Sequence, residues 1–238
     1  MPIGVYQQML ADSIPPSGGN DANTILLLHM DGTNGSTSFP DSSASANSVT
    51  PSGSTSVSTS SPKFGTGAMN LPSGSNATVS NSAFNFGSGD FTVDYWIKVG
   101  GTITGSPNFY SLSKGGSVNG VNDGWVAYMP DNTISFYVNS ASTSSWDMFS
   151  PLGTSAALVA NTWNHVAFVR HGNAFACYLN GTSFGTGTSS ASIKSNAFAV
   201  SIGDGAVGAG QTIQFDEVRI SNVARWTANF TPPAAPYS

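Results

Sequence analysis

Glutamate occurs once in 238 residues, as Glu217, and charged side chains make up only 8% of the chain. Seven Lys and Arg are scattered singly, against a net charge of -5. With no basic run or stripe to neutralise phosphates, nucleic-acid binding is not expected. Cysteine also occurs once, as Cys177, so no intrachain disulfide can form. The core must hold by packing alone, which a chain of this length can do by burying roughly 70% of its unfolded surface. Cys177 alternates with Phe175 and Leu179, the setting of a small buried hydrophobe. No apolar run approaches the roughly 20 residues of a membrane helix. The first residues have neither the basic nor the apolar region of a secretory signal. Membrane insertion is therefore not expected.

The lone glutamate also bears on catalysis. Glycoside hydrolysis takes two carboxyl groups, about 5 Å apart in retaining enzymes and farther in inverting ones. Strict alternation along residues 212–220 places Ile213, Phe215, Glu217 and Arg219 on one face. Gln214, Asp216, Val218 and Ile220 fall on the other. Asp216 and Glu217 then cannot share a substrate, and no enzyme activity is expected. Glu217 and Arg219 are expected to form a buried ion pair. His29, His165 and His171 lie on different elements, with no triad or metal-binding spacing among them.

Glycine, serine, threonine and asparagine stand where charge is missing, the composition of tight turns on a β scaffold. Alternating or short apolar runs at residues 24–30, 63–71, 76–80, 90–99, 124–129, 133–138, 163–170, 174–179, 197–202 and 212–220 read as strands. One or two weak edge strands are expected near residues 48–57. Pro130-Asp131-Asn132, His171-Gly172-Asn173 and Asn180-Gly181 read as hairpin turns. The pattern predicts an all-β chain folded as an antiparallel two-sheet β-sandwich, a jelly roll. Residues 1–22 read as a separate N-terminal arm for attachment and assembly, ending in a Pro/Gly linker. Residues 23–238 form the sandwich domain.

Four stretches carry a family resemblance. They are LLLHMDG near the start, FGSGDFTVDYWIKV in the middle, NTWNHVAFVRHGNAFACYLNGT later, and FDEVRISNVARW followed by NFTPP at the end. In this order they resemble the laminin-G-like jelly rolls of the concanavalin A-like lectin/glucanase superfamily. The branch they resemble most is common in bacteriophage structural and tail proteins. The superfamily's glucanases carry Glu-x-Asp-x-x-Glu along one strand, and that motif is absent here.

The resemblance implies a virion structural protein of a phage, a decoration, fibre or tail protein at the virion surface. It would adhere to host surface glycans; the arm of residues 1–22, which precedes the first shared motif and carries Val5, Tyr6, Met9 and Leu10, is expected to contact other virion proteins or sister subunits of a homo-oligomer. The alternative is a cellular surface or secreted carbohydrate-binding module. The resemblance also implies a rim Ca2+ site, for which Asp31, Asp41 and Asp216 are the candidates. The same three side chains also suit a turn, a loop cap and a bond to backbone. Glycan binding needs exposed aromatic faces beside polar groups. Trp125, Tyr137 and Trp146 lie near loops rich in Asn and Ser and are the candidates, whereas Trp96, Trp163 and Trp226, inside the shared motifs, are assigned to the core.

Overall fold

A computed structural model describes residues 19–101, 109–116, 121–141, 145–204 and 211–238. Residues 1–18 of the arm, and most of the glycine-rich stretch before the last strand, lie outside the described residues. The strands are β1 (Thr24–Leu28), β2 (Val49–Ser52), β3 (Ser56–Ser58), β4 (Ala68–Pro72), β5 (Asn76–Val79), β6 (Phe91–Val99) and β7 (Tyr110–Gly116). They continue as β8 (Val121–Tyr128), β9 (Ser135–Val138), β10 (Asn164–His171), β11 (Ala174–Leu179), β12 (Thr182–Thr188), β13 (Val200–Asp204) and β14 (Thr212–Ser221).

Two antiparallel sheets face each other. The eight-stranded sheet runs β12-β11-β10-β6-β14-β4-β3, with β1 also on β14. The six-stranded sheet runs β2-β5-β13-β7-β8-β9. Alternation drives the packing: Phe91, Val93, Tyr95, Ile97 and Val99 of β6 point inward and are fully buried. They meet Leu112, Trp125, Ala127, Phe136 and Ile202 from the facing sheet in one continuous core. Cys177 sits in that core, where burial pushes its thiol well above the ordinary value and leaves it unreactive. The Asn180-Gly181 turn joins β11 to β12 with both residues at positive φ, as a type I′ hairpin requires.

β14 organises the larger sheet. Its first half pairs with β4, its second half with β1, and β6 lines its other edge throughout. Where the partner changes, the register with β6 slips between Asp216 and Arg219, and Glu217 takes φ 49°. This is a β-bulge, and it inverts the alternation expected from the sequence. Ile213 and Phe215 before it, and Val218 and Ile220 after it, all face the core. Asp216 pairs across with Trp96 and Arg219 with Asp94, on the outer face.

That outer face is covered. After β14 the chain turns back, and Trp226, Phe230 and Ala224 pack on Ala167, Val169 and Tyr178 as a small second core. Phe230 N–H donates to Gly181 O at 2.9 Å. A Cβ on Gly181 would lie 1.8 Å from that Phe230 carbonyl oxygen, so only glycine admits this approach. The end of the chain also ties down the arm's last residues: Asn20 N–H donates to Ser238 O at 2.9 Å. Asp21 holds Arg225 at 2.6 and 2.7 Å, and this hydrogen-bonded guanidinium lowers the Asp21 carboxyl to about 2. Residues 19–22, counted with the arm from sequence, are thus fastened to the sandwich.

Candidate functional site

An aromatic row crosses the outer face of the six-stranded sheet. Tyr110 on β7 and Tyr128 on β8 are direct cross-strand partners, with ring centroids 5.5 Å apart. Tyr128 meets Tyr137 of β9 edge-on at 6.1 Å, and Tyr137 meets Trp146 at 6.0 Å. Together with Val126 these side chains line a cleft of about 200 Å³. Its placement follows from the pleat: Trp125 and Ala127 face the core, so Val126 and Tyr128 must face out. Trp146 comes from the segment after β9, which is stitched to the strand end. Ser140 donates its N–H and hydroxyl to Asp147 at 2.8 and 2.6 Å. Val138 and Phe149 exchange backbone bonds. Desolvation, with the neighbouring phenols and Asp131, raises the Tyr128 pKa, so its hydroxyl stays protonated. The cleft therefore offers tilted ring faces with phenol hydroxyls beside them, all but Trp146 carried by β7, β8 and β9.

Of the three glycan candidates, Tyr137 and Trp146 are brought together here, half-buried. Trp125 is not: it is 1% exposed and packs in the core against Phe86 and Phe136. It lies on β8 one residue out of phase with the outward positions, which alternation alone would reveal once the strand's inner face was known. Tyr110 and Tyr128 escape a sequence reading because their place in the row depends on cross-strand register. Trp163, assigned to the core, is half-buried at the surface, its Nε1–H donating to Ser61 O at 3.1 Å.

The second polar cluster lies under the C-terminal segment. Asp94, His165 and Arg219 are fully buried there. Arg219 pairs with Asp94 (Nε to Oδ1, 3.0 Å), rather than with Glu217 as alternation implied. The Tyr237 ring covers the guanidinium at 3.7 Å, and its hydroxyl donates to Asp94 Oδ2. Burial works to raise the Asp94 pKa, but Arg219, His165 and Tyr237 outweigh it and hold the carboxyl low. Burial lowers His165 against the pull of Asp94, which favours the neutral imidazole. Glu217 accepts from Tyr237 N–H at 3.0 Å and pairs with His29 at 2.7 Å. That hydrogen bond raises the His29 pKa.

Because of the bulge, Asp216 and Glu217 both belong to this outer side, which corrects the expectation that they face opposite ways. They are nevertheless 0% and 2% exposed. Asp216 Oδ2 accepts from Lys63 and Phe64 N–H at 2.8 and 3.1 Å. Both oxygens of Glu217 are engaged, by His29 and Tyr237. A sugar reaching Glu217 would have to displace Tyr237 of the C-terminal segment, and one reaching Asp216 the loop at Lys63 and Phe64.

The three calcium candidates do not converge. Asp31 accepts from Thr66 N–H and from the Thr66 hydroxyl and Gly67 N–H at 2.9 and 3.2 Å. It thus holds the same 63–67 loop as Asp216. Asp41 is committed elsewhere, taking bonds from Leu27, Ser43 and Asn47 at 2.7 to 2.9 Å. N–H and O–H donors occupy both oxygens of Asp41 and one oxygen each of Asp31 and Asp216, lone pairs that a hard cation would need. No group of three His, Cys, Asp or Glu suited to a metal exists among the described residues. The residues do not fit a Ca2+ site.

Comparison with known proteins places this architecture. No curated protein matches the sequence. The binding domain of Paraclostridial Mosquitocidal Protein 1 superposes with a TM-score of 0.64 at 17% identity, over 85% of this chain and 49% of that one. The binding domain of botulinum neurotoxin DC, solved in complex with SialylT, gives 0.63 at 15%, over 85% and 48%. A botulinum neurotoxin type C structure gives 0.61 at 14%, over 85% and 48%. It is described as showing that cell entry depends on interaction with two ganglioside molecules. The chain spans about half the length of these structures, and at such identities the likeness is one of fold. The family model for the concanavalin A-like lectin/glucanases superfamily matches residues 72–229, and with its two antiparallel sheets the chain belongs to that superfamily.

Proposed function

We propose that this chain is a non-enzymatic adhesion module that binds a glycan in the cleft of Tyr110, Tyr128, Tyr137 and Trp146. The observation that carries the reading is the contiguous aromatic row on a rigid strand surface. Pyranose rings present C–H faces that pack on aromatic rings while their hydroxyls take hydrogen bonds at the edge. Aromatic side chains with a polar tip serve both needs. The binding domains that share the fold, including those named with sialyl and ganglioside ligands, support a glycan as the partner class. The engaged, covered carboxyls of Asp216 and Glu217 support binding without hydrolysis.

The setting we favour is the surface of a phage virion, as a decoration, fibre or tail protein, on the strength of the four ordered motifs. A module of a secreted or cell-surface protein is the second reading, favoured by the toxin binding domains among the structural neighbours. Mass spectrometry of purified virions separates the two. For the site, a glycan array followed by calorimetry on the best hit should show Trp146→Ala and Tyr137→Ala each weakening binding about tenfold or more, about 1.4 kcal/mol. Thermal melting should show that both variants stay folded. Wild-type affinity in both variants, or binding to no glycan, would sink the proposal.

A further inference from the structure

The aromatic cleft carries a charge pattern of its own. Its lining is apolar and aromatic: Tyr110, Val126, Tyr128, Tyr137 and Trp146. Three aspartates from three separate segments stand around it. Asp204 on β13 is the direct cross-strand partner of Tyr110, so the two side chains share a face of the sheet. Asp131, in the turn between β8 and β9, is exposed and close enough for its charge to help raise the Tyr128 pKa. Asp147 follows Trp146 and fixes that segment to Ser140. Each end of the aromatic row, and its middle, thus has an acidic neighbour.

The cations of the chain are committed elsewhere. All seven Lys and Arg and all three His are among the described residues, and none of them lines the cleft. Arg219, Arg225 and Lys194 pair with Asp94, Asp21 and Asp123. Lys63 lies over Trp96 of β6, and Lys98 over Trp163 just before β10. Arg170 on β10 donates to the carbonyls of Gly87, Gly172 and Ser189. Lys114 shares a sheet with the cleft, but it stands opposite the core residue Trp125 and is 3% exposed. Its Nζ donates to the carbonyls of Asn196 and Phe198 at 3.3 and 2.6 Å. His29, His165 and His171 face Glu217, Asp94 and Asp90.

We infer that the cleft selects glycans by charge, taking uncharged sugar chains and rejecting those that bear a carboxylate, sulfate or phosphate. This rests on the cleft being a glycan site and adds which glycans it takes. An anionic sugar that enters among half-buried rings sheds water from its charge, which is costly without a partner. Arg or Lys is the usual partner, and the cleft has neither. The ring faces are the negative side of the aromatic quadrupole, and the aspartates around them repel a second negative charge. Such repulsion falls on the wrong ligand alone, which is how a site gains specificity without new attractive contacts. A neutral pyranose incurs none of these costs. Its C–H faces use the rings, and its hydroxyls can donate to carboxylate and phenol oxygens.

The test is a glycan array of matched pairs, with lactose and N-acetyllactosamine beside their sialylated, sulfated and uronic-acid forms. Titration calorimetry on the strongest-binding pair then gives two Kd values. The neutral member should bind about tenfold or more tightly at about 0.01 M salt. The gap should narrow at about 1 M salt, where the screening length falls from about 30 Å to about 3 Å. Asp131→Lys, at an exposed turn position, puts a cation beside Tyr128 and should bring the anionic member to parity or better. A thermal melt shows that this variant is folded, and the salt series on the wild type tests the same point without it. An anionic member bound as tightly as its neutral parent by the wild type at low salt overturns the inference and leaves the glycan site standing. A preference moved neither by salt nor by Asp131→Lys overturns it too, because charge would not be its cause. Binding of no glycan removes the site itself, and the charge selection with it.

Discussion

Replacing Asp216 by asparagine should remove a large part of the pH dependence of stability between pH 5 and pH 8. Asp216 is fully buried. One carboxyl oxygen takes two backbone amides, and the other has no hydrogen-bond partner. Burial raises the pKa from 3.8 to about 7, and the two amides offset it only in part. The folded value therefore lies above the unfolded one. The stabilisation from the protonated carboxyl is complete below pH 3.8 and is lost as pH rises through 7. Between pH 5 and pH 8 the wild type should lose about 2–3 kcal/mol from this group, at 1.36 kcal/mol per pKa unit. Asparagine keeps the carbonyl that accepts from Lys63 and Phe64 but does not titrate. Its amide N–H groups lack a partner, which costs about 1–3 kcal/mol at any pH. The variant should be the less stable protein at pH 5 and recover about 2–3 kcal/mol relative to wild type by pH 8. His29, raised by Glu217, and His165, lowered by burial, also titrate near this window. Both are present in both proteins, and the Asp216 charge is only the smallest of the causes that raise His29, so the difference between the two curves reports mainly Asp216. Urea unfolding at four pH values gives that difference. A gap constant to within about 0.5 kcal/mol would refute the reasoning, because a titrating buried carboxyl must move it.

Asp94→Asn leaves the buried Arg219 guanidinium without its carboxylate and should cost about 3–5 kcal/mol. That corresponds to roughly 10 °C in Tm for a chain of this size. Tyr237→Phe, which deletes only the hydroxyl on Asp94, should cost about 1 kcal/mol. A loss under about 1 kcal/mol for Asp94→Asn would mean the pair is not what secures the C-terminal segment. Melting curves in EDTA and in millimolar calcium should superimpose, since Asp31, Asp41 and Asp216 do not converge on a common point and no suitable group of three ligands exists among the described residues. An ion at a hundred times its Kd would add about 2.7 kcal/mol, and a shift of that order would restore the calcium site.

The sequence by itself determined the fold class and the positions of most strands along the chain. Period-two alternation with Gly, Asn and Pro turns is a local signal, and it locates β6, the β10–β11 hairpin and the Asn180-Gly181 turn within a few residues. β7 and β12 escaped it. Residues 110–116 and 182–188 are rich in Ser, Gly and Thr, and their strand form comes from pairing with better-defined neighbours. The sequence also singled out Tyr137 and Trp146, and with them Trp125, which is buried in the core, because polar neighbours in the chain do not reveal which face of a strand an aromatic takes.

Only the tertiary structure decided which face each side chain takes. Along β14 a single residue, Glu217, adopts a left-handed conformation where the strand changes partner. Every side chain after it changes sides, as the two-residue period of a strand requires. That one event brings Asp216, Glu217 and Arg219 to the same surface and lets Val218 and Ile220 enter the core. Likewise Asp94, His165 and Glu217 look like solvent or substrate groups in the sequence. They become a sealed network only because Tyr237, 20 residues after Glu217, returns to cover them. Contacts between residues far apart in the chain leave no local periodicity to read, so the aromatic row and this sealed network came from pairing and packing.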